Sequence, residues 1–344
     1  MMSIFEKKNH LQKLKELELI STSIGAHHDY VQGGGGNTSV KLDDKLMAIK
    51  ASGHILSDVT SDNAYAVVTY PEIVSFLQGT SGDDKSYGDF VSSNTVNAAK
   101  ASMETGLHTI LGAYVIHCHS TYSNLINCSK QSKQLFEQVV SSDLQALWIE
   151  YRAPGYHLSK LISDKVIAFE IEHGLKPNIL FLQNHGLVIS AASAQEALNL
   201  HARINEDLIQ AFEIESYPEA KLKQDGAILL SDSSYLKQNL RKYSSELSYD
   251  FFSRAVFPDQ RIYLQNNIAF STKLENKINI DLKSNTIRYK TNEKEALAIE
   301  ETLIALFFII NSIGEEDLNY ISQESSQHLD NMDSEKYRKQ VIGQ

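Results

Sequence analysis

Tyr114-Val115-Ile116-His117-Cys118-His119-Ser120-Thr121 is the stretch from which the rest of the chain can be read. Its first three residues are aromatic or β-branched and suit a buried strand. Side chains alternate faces along a strand, so His117 and His119 point the same way, roughly 6–7 Å apart along the backbone. Two imidazoles at that spacing can share a metal ion, with Cys118 turned to the opposite face. Two such histidines can equally be satisfied polar groups, so the pair gains meaning only from other segments.

At 344 residues the chain can bury a sizeable core and form more than one domain. Charged residues make up 22% and hydrophobic ones 42%, as in ordinary globular proteins. A net charge of −11 argues against nucleic-acid or anionic-membrane partners, which need a basic face. Two cysteines, Cys118 and Cys128, are too few for a secretory disulfide framework. Met1–Leu19 is charged throughout, unlike a signal peptide, and the longest apolar run, Leu303–Ile310, is shorter than a bilayer span. A cytoplasmic location is therefore expected.

In chain order, Ile4–Ile24 has a helical pattern. His27 and His28 follow, and then Gly33-Gly34-Gly35-Gly36-Asn37-Thr38-Ser39-Val40. Glycines free backbone N–H groups to approach an anion closely, although such a run alone is also a flexible loop. Ser39–Ile49 reads as a hairpin turning at Asp43-Asp44, followed by the small-residue loop Lys50-Ala51-Ser52-Gly53. Lys50 is either an anion partner or a solvated charge at a strand end. Asn94–Leu111 is helix-compatible and contains Ser102-Met103-Glu104-Thr105-Gly106-Leu107-His108. Such a helix, turning directly into the histidine strand, brings Glu104 to the strand's mouth, with His108 one turn on as support. Strands are expected at Ala146–Tyr151 and Ile179–Leu182, and helices at Gln131–Ser142, Lys160–His173 and Ala194–Ile214. After Ile179–Leu182 comes Gln183-Asn184-His185-Gly186-Leu187-Val188, where His185 is either structural or a third ligand.

Five ordered motifs, G-G-N-T-S, A-S-G, S-M-E-T-G-L-H, H-C-H and N-H-G-L-V, resemble the class II aldolase/adducin family across about residues 10–215. The resemblance implies a three-layer α/β/α domain, residues 1–215, with a central and mostly antiparallel sheet. It implies His117, His119 and His185 as ligands of Zn²⁺ or another divalent ion such as Mn²⁺ or Co²⁺. Glu104 matches the family's catalytic carboxylate, and Gly36, Asn37, Ser52, Gly53 and Ser102 its phosphate-binding positions. Lys50 joins them as a candidate anion partner. Met103 stands where the aldolases carry a second phosphate-binding serine, and the link from Glu104 to His117 is short. Both features resemble the aldolase portion of rhamnulose-phosphate aldolase/short-chain dehydrogenase fusions, although no nucleotide-binding glycine fingerprint follows residue 215.

Three neutral imidazoles leave a zinc ion an open position, which marks a catalytic rather than a structural site. The expected reaction is aldol cleavage or formation in a sugar phosphate, with the metal stabilising an enediolate and Glu104 moving protons. Epimerisation, dehydration or decarboxylation at the same site, or a non-catalytic adducin-like module, are the alternatives. A homo-oligomer, a homotetramer in the family, is implied. Residues 216–344 read as a small α+β extension for packing or oligomerisation, with strands over Arg261–Thr272 and Lys277–Thr291. Helices are expected over Glu293–Ile313 and Glu315–Val341, the latter ending in E-K-Y-R like the fusion-type aldolases.

Overall fold

The Tyr114–Cys118 run forms the central strand of a seven-stranded sheet, and all five of its residues are buried. The computed structural model describes residues 6–331 apart from 80, 81 and 142. The strands are β1 (Asn37–Lys41), β2 (Leu46–Lys50), β3 (Tyr65–Thr69), β4 (Tyr114–Cys118), β5 (Ala146–Ile149), β6 (Ile179–Leu182) and β7 (Gly186–Ala191). Their order is β3-β2-β1-β4-β7-β6-β5. Every neighbouring pair is antiparallel except β5 with β6. The expected mostly antiparallel sheet is thus present.

The accompanying helices are α1 (Leu11–Gly25), α2 (Tyr70–Gln78), α3 (Asp84–Ser93), α4 (Thr105–Thr109), α5 (Thr121–Asn127), α6 (Ser132–Val139), α7 (Tyr156–His173) and α8 (Ala194–Ala211). Helices α1, α5 and α8 pack on one face, while α2, α3, α4 and α7 form the other layer. Strand alternation divides β4 between the two cores. Tyr114, Ile116 and Cys118 enter the first, and Val115 enters the second. His117 therefore shares the face of Val115, and Cys118 meets His201 of α8 on the opposite face (Sγ to Nε2, 3.3 Å).

The helix expected over Asn94–Leu111 shrinks to α4. The reason lies at the sheet edge, where β3 would otherwise leave backbone groups unpaired. Thr95 bridges Val68, the Val96 N–H donates to the Val67 carbonyl (2.8 Å), and Asn97 Oδ1 accepts from the Val67 N–H (2.9 Å). Covering that edge holds the segment extended despite its helical composition.

The carboxy-terminal part builds a second sheet from β8 (Leu222–Asp225), β9 (Ile228–Ser231), β10 (Ile268–Ala269), β11 (Ile278–Asp281) and β12 (Thr286–Tyr289), ordered β10-β11-β12-β9-β8. Its helices are α9 (Ser234–Lys242), α10 (Tyr249–Ser253), α11 (Pro258–Tyr263), α12 (Glu293–Ile313) and α13 (Gln323–Asn331). The strand expected over Arg261–Thr272 is instead the end of α11 followed by the two residues of β10. Ile262, Tyr263 and Leu264 are all buried, and a run buried on every side carries no period that separates strand from helix. Pro258, in the first turn, favours the helical start. Lys277–Thr291 is itself a hairpin, β11–β12. Glu315–Val341 is broken, with a short 3₁₀ turn at Glu315–Asp317 before α13, and its E-K-Y-R ending lies outside the described residues.

Helix α12 matches its expected bounds. Asn292 caps it by accepting from the Glu295 N–H (2.8 Å), and Gly314 ends it at φ +85°. By length and composition alone it could cross a membrane, but 72% of its apolar window is buried within this structure. It packs against α5, α9 and α11, and a single apolar core runs from α5 into α12. That continuity brings residues after 216 next to the histidine strand.

Candidate metal centre

His117 and His119 stand on and just beyond the end of β4, while His185 sits in the three-residue turn between β6 and β7. Because β4 pairs with β7, with Cys118 opposite Leu187, that turn lies against the H-C-H segment. Ring centroids are 5.1 Å apart for His117 and His119, 4.9 Å for His117 and His185, and 5.0 Å for His119 and His185. One nitrogen from each ring lies within 4.8 Å of the others, and all three rings are buried. Two local features set the turn. Asn184 adopts φ +53°, and Gly186 passes so close to β4 that a Cβ would lie 2.2 Å from the Cys118 carbonyl oxygen. Gly186→Ala is expected to push two paired strands apart and cost roughly 1–3 kcal/mol of stability, which chemical denaturation checks.

The histidines are held from behind. The His117 Nδ1–H donates to the Leu187 carbonyl (3.1 Å), and His119 Nδ1 bonds the Asp259 carboxylate. Nε2 of His117, Nε2 of His119, Nδ1 of His185 and Oε1 of Glu104 then have no hydrogen-bond partner although buried. Unpaired buried atoms of this kind are costly unless another group satisfies them. Burial holds His117 below its ordinary pKa and pushes His185 down to about 3, which keeps both rings neutral as metal ligands must be. The donor set fits a divalent ion.

Glu104 immediately precedes α4, and its side chain makes no capping bond to that helix. Its Oε2 accepts from Asn37 Nδ2 (2.7 Å) and lies 3.5 Å from His117 Nε2, and its Oε1 lies 3.3 Å from His185 Nε2. Burial would raise this carboxyl, but positive charge at the histidine cluster and the Asn37 bond draw it below its ordinary range. Asn37 is placed by strand register, opposite His117. Its Oδ1 accepts from His108 Nε2–H, and His108 Nδ1 accepts from the Ser39 hydroxyl (2.8 Å). His108 thus acts as support behind Asn37, outside the triad.

Gly36, Asn37, Lys50, Ser52, Gly53 and Ser102 all line one narrow cleft, together with Glu104, His119 and His185. Several of the expected anion donors are nevertheless engaged. The N–H groups of Gly33 and Gly34 donate to Glu301 Oε2 (2.8 Å) and to the Tyr263 hydroxyl (2.9 Å), and that of Gly35 to Gln32 (3.0 Å). The glycine run is therefore fastened at its start, with Gly36 at the cleft. The Ser52 N–H donates to the Lys100 carbonyl (2.9 Å), and Lys50 Nζ donates to the His54 carbonyl (2.6 Å). Ser102 Oγ accepts from the Glu104 N–H (3.2 Å), and Met103 also lines the cleft. His27 and His28 are not among its lining residues. His28 bonds the Pro218 carbonyl (2.9 Å), and His27 is largely exposed.

Asp259, Tyr263 and Glu301 were not legible from the sequence. Asp259 is 140 positions from His119, in a stretch with no motif, and only chain packing unites them.

Residues 19–209 match the family described as "Class II Aldolase and Adducin N-terminal domain". A curated relative from Bacillus subtilis, named "Uncharacterized oxidoreductase YuxG", is 27% identical over 186 residues, 51% of this chain and 26% of the relative. This chain thus spans about a quarter of that protein's length. Among solved structures, the N-terminal Class II Aldolase domain of a protein from Thermoplasma acidophilum aligns at 22% identity and TM-score 0.50. That alignment covers 61% of this chain and 99% of that one. An L-fuculose 1-phosphate aldolase aligns at 19% identity and TM-score 0.41, over 60% of this chain and 88% of the other. The likeness to the Thermoplasma domain concerns the fold.

Proposed function

We propose, since this chain belongs to the class II aldolase and adducin N-terminal domain family, that it is a metal-dependent carbon–carbon lyase acting on a sugar phosphate. The observation that carries this reading is the convergence of one nitrogen from each of His117, His119 and His185 to within 4.8 Å beside Glu104, with Nε2 of His117 and of His119 unpartnered. A divalent ion held by these three imidazoles would supply Lewis acidity toward the carbonyl of a ketose. Imidazole ligands suit Zn²⁺, and three of them would leave it a coordination position open to substrate.

The chain's own groups supply the rest. Glu104 is ionised, hydrogen-bonded through one oxygen to Asn37 and open at the other, so Oε1 is the atom to take or return a proton at the reacting carbon. The relay from Ser39 through His108 to Asn37 fixes the Asn37 amide so that its NH₂ faces Glu104. Gly36, Ser52, Gly53, Ser102 and Lys50 line the same cleft, and a phosphate anchored among them would hold the sugar in register. With the glycine-loop amides partly engaged, Lys50 carries more of that anchoring as a point charge.

The test is a screen of ketose phosphates for aldehyde release, with metal analysis of the same sample. Inorganic phosphate is expected to compete, and Ser52→Ala or Lys50→Met to raise KM more than they lower kcat. Equal activity on phosphorylated and free sugars would contradict the anion site. Stereochemical inversion without fragment release would instead point to an epimerase.

A further inference from the structure

We infer that the carboxy-terminal unit completes the metal centre, with Asp259 as the positioning residue that holds His119 in its ligating tautomer and orientation. This rests on reading the histidine triad as a divalent-metal site. Asp259 lies in the first turn of α11, next to Pro258, which lines the cleft. It is fully buried, and its Oδ2 is bonded to Nδ1 of His119. An ionised carboxylate only accepts, so the proton sits on Nδ1 and the lone pair on Nε2, the nitrogen that has no partner. A buried carboxylate against a neutral ring is expensive. It becomes favourable when that ring is itself bound to a cation, the usual arrangement behind metal-ligating histidines.

The same unit reaches the centre at two more places. Glu301 and Tyr263 fasten Gly33 and Gly34. Cβ atoms on Gly33 and Gly35 would lie 2.6 Å from the Tyr263 hydroxyl oxygen and 2.8 Å from His119 Nδ1, so the glycines are what let this loop lie beneath both. The His185 turn is clamped as well. Asn184 Nδ2 donates to the carbonyls of Val256 (2.8 Å) and Asn319 (2.7 Å), and Asn319 Nδ2 returns a bond to Asn184 Oδ1 (2.7 Å). The glycine loop, His119 and the His185 turn are therefore each tied through polar atoms to residues beyond 250. A unit serving only as packing would not meet all three at such atoms.

The test measures metal binding by the full chain as wild type, Asp259→Asn and Glu300→Gln, using Zn²⁺ and Co²⁺ in competition with a chromophoric chelator. Glu300 is a buried carboxylate of the same unit, bonded to Ser231 and Tyr289, and controls for general loosening. Wild type and E300Q are expected to bind alike, and D259N about 10–100-fold more weakly, with an altered Co²⁺ absorption spectrum. Equal affinity and spectrum in a folded D259N would overturn the inference and leave the metal reading standing. No binding by wild type would overturn both. If D259N does not fold, nitrogen NMR of histidine-labelled, Zn²⁺-loaded wild type decides. His119 must show Nδ1 protonated and Nε2 ligated, and ligation through Nδ1 would overturn the inference.

Discussion

Glu104→Gln is expected to lower turnover by a factor of about 10²–10⁴ while the protein keeps its metal. The two effects separate because Glu104 is beside the triad rather than part of it. Its oxygens lie 3.3 Å and 3.5 Å from ring nitrogens of His185 and His117. Glutamine has nearly the same shape, and its amide oxygen can still accept from Asn37 Nδ2, so the fold and the cleft should persist. What disappears is the ionised oxygen that exchanges a proton with the substrate. Stopped-flow turnover and elemental analysis on one sample give both readings. Unchanged turnover would remove Glu104 from the mechanism, and loss of metal would make it a ligand instead.

Stripping the ion with a chelator is expected to abolish turnover and lower the melting temperature, both restored by Zn²⁺ or Co²⁺. The ion binds the folded triad and has no comparable site in the unfolded chain. At a free concentration of 1,000 times Kd it stabilises the fold by about 4 kcal/mol. The structure gives a reason to expect the full effect. Without an ion, three buried ring nitrogens and one carboxylate oxygen lack partners, and the folded state bears that cost alone. His185→Ala removes one ligand and its orphaned nitrogen together, so its melting temperature should no longer respond to added metal. A melting curve of the wild type indifferent to Zn²⁺ and Co²⁺ would contradict the assignment of the triad.

Local patterns in the sequence were sufficient for one half of this molecule. Tyr114–Cys118 reads as a strand because its residues suit a pleated, buried surface, and the period of two alone orients His117 and Cys118 to opposite faces. Ile179–Leu182 and Glu293–Ile313 were legible to the residue, the first as a short apolar run, the second from its amphipathic pattern ending at Gly314. His185, Glu104 and the small-residue loops could be named because each carries a motif. Elsewhere the deciding interactions are not local. Asn94–Leu111 has a helical composition, but its first residues, 94–97, cover the edge of β3, whose open N–H and C=O groups outweigh a preference of a few tenths of a kcal/mol per residue. The run at Ile262–Leu264 is buried on all sides, so its pattern could not distinguish strand from helix. The free amides expected of the glycine run were assigned partners by Tyr263 and Glu301, more than 200 positions away. Asp259 shows the limit most plainly, since an aspartate in an ordinary helix becomes the partner of His119 only when one apolar core draws α11 and α12 against α5.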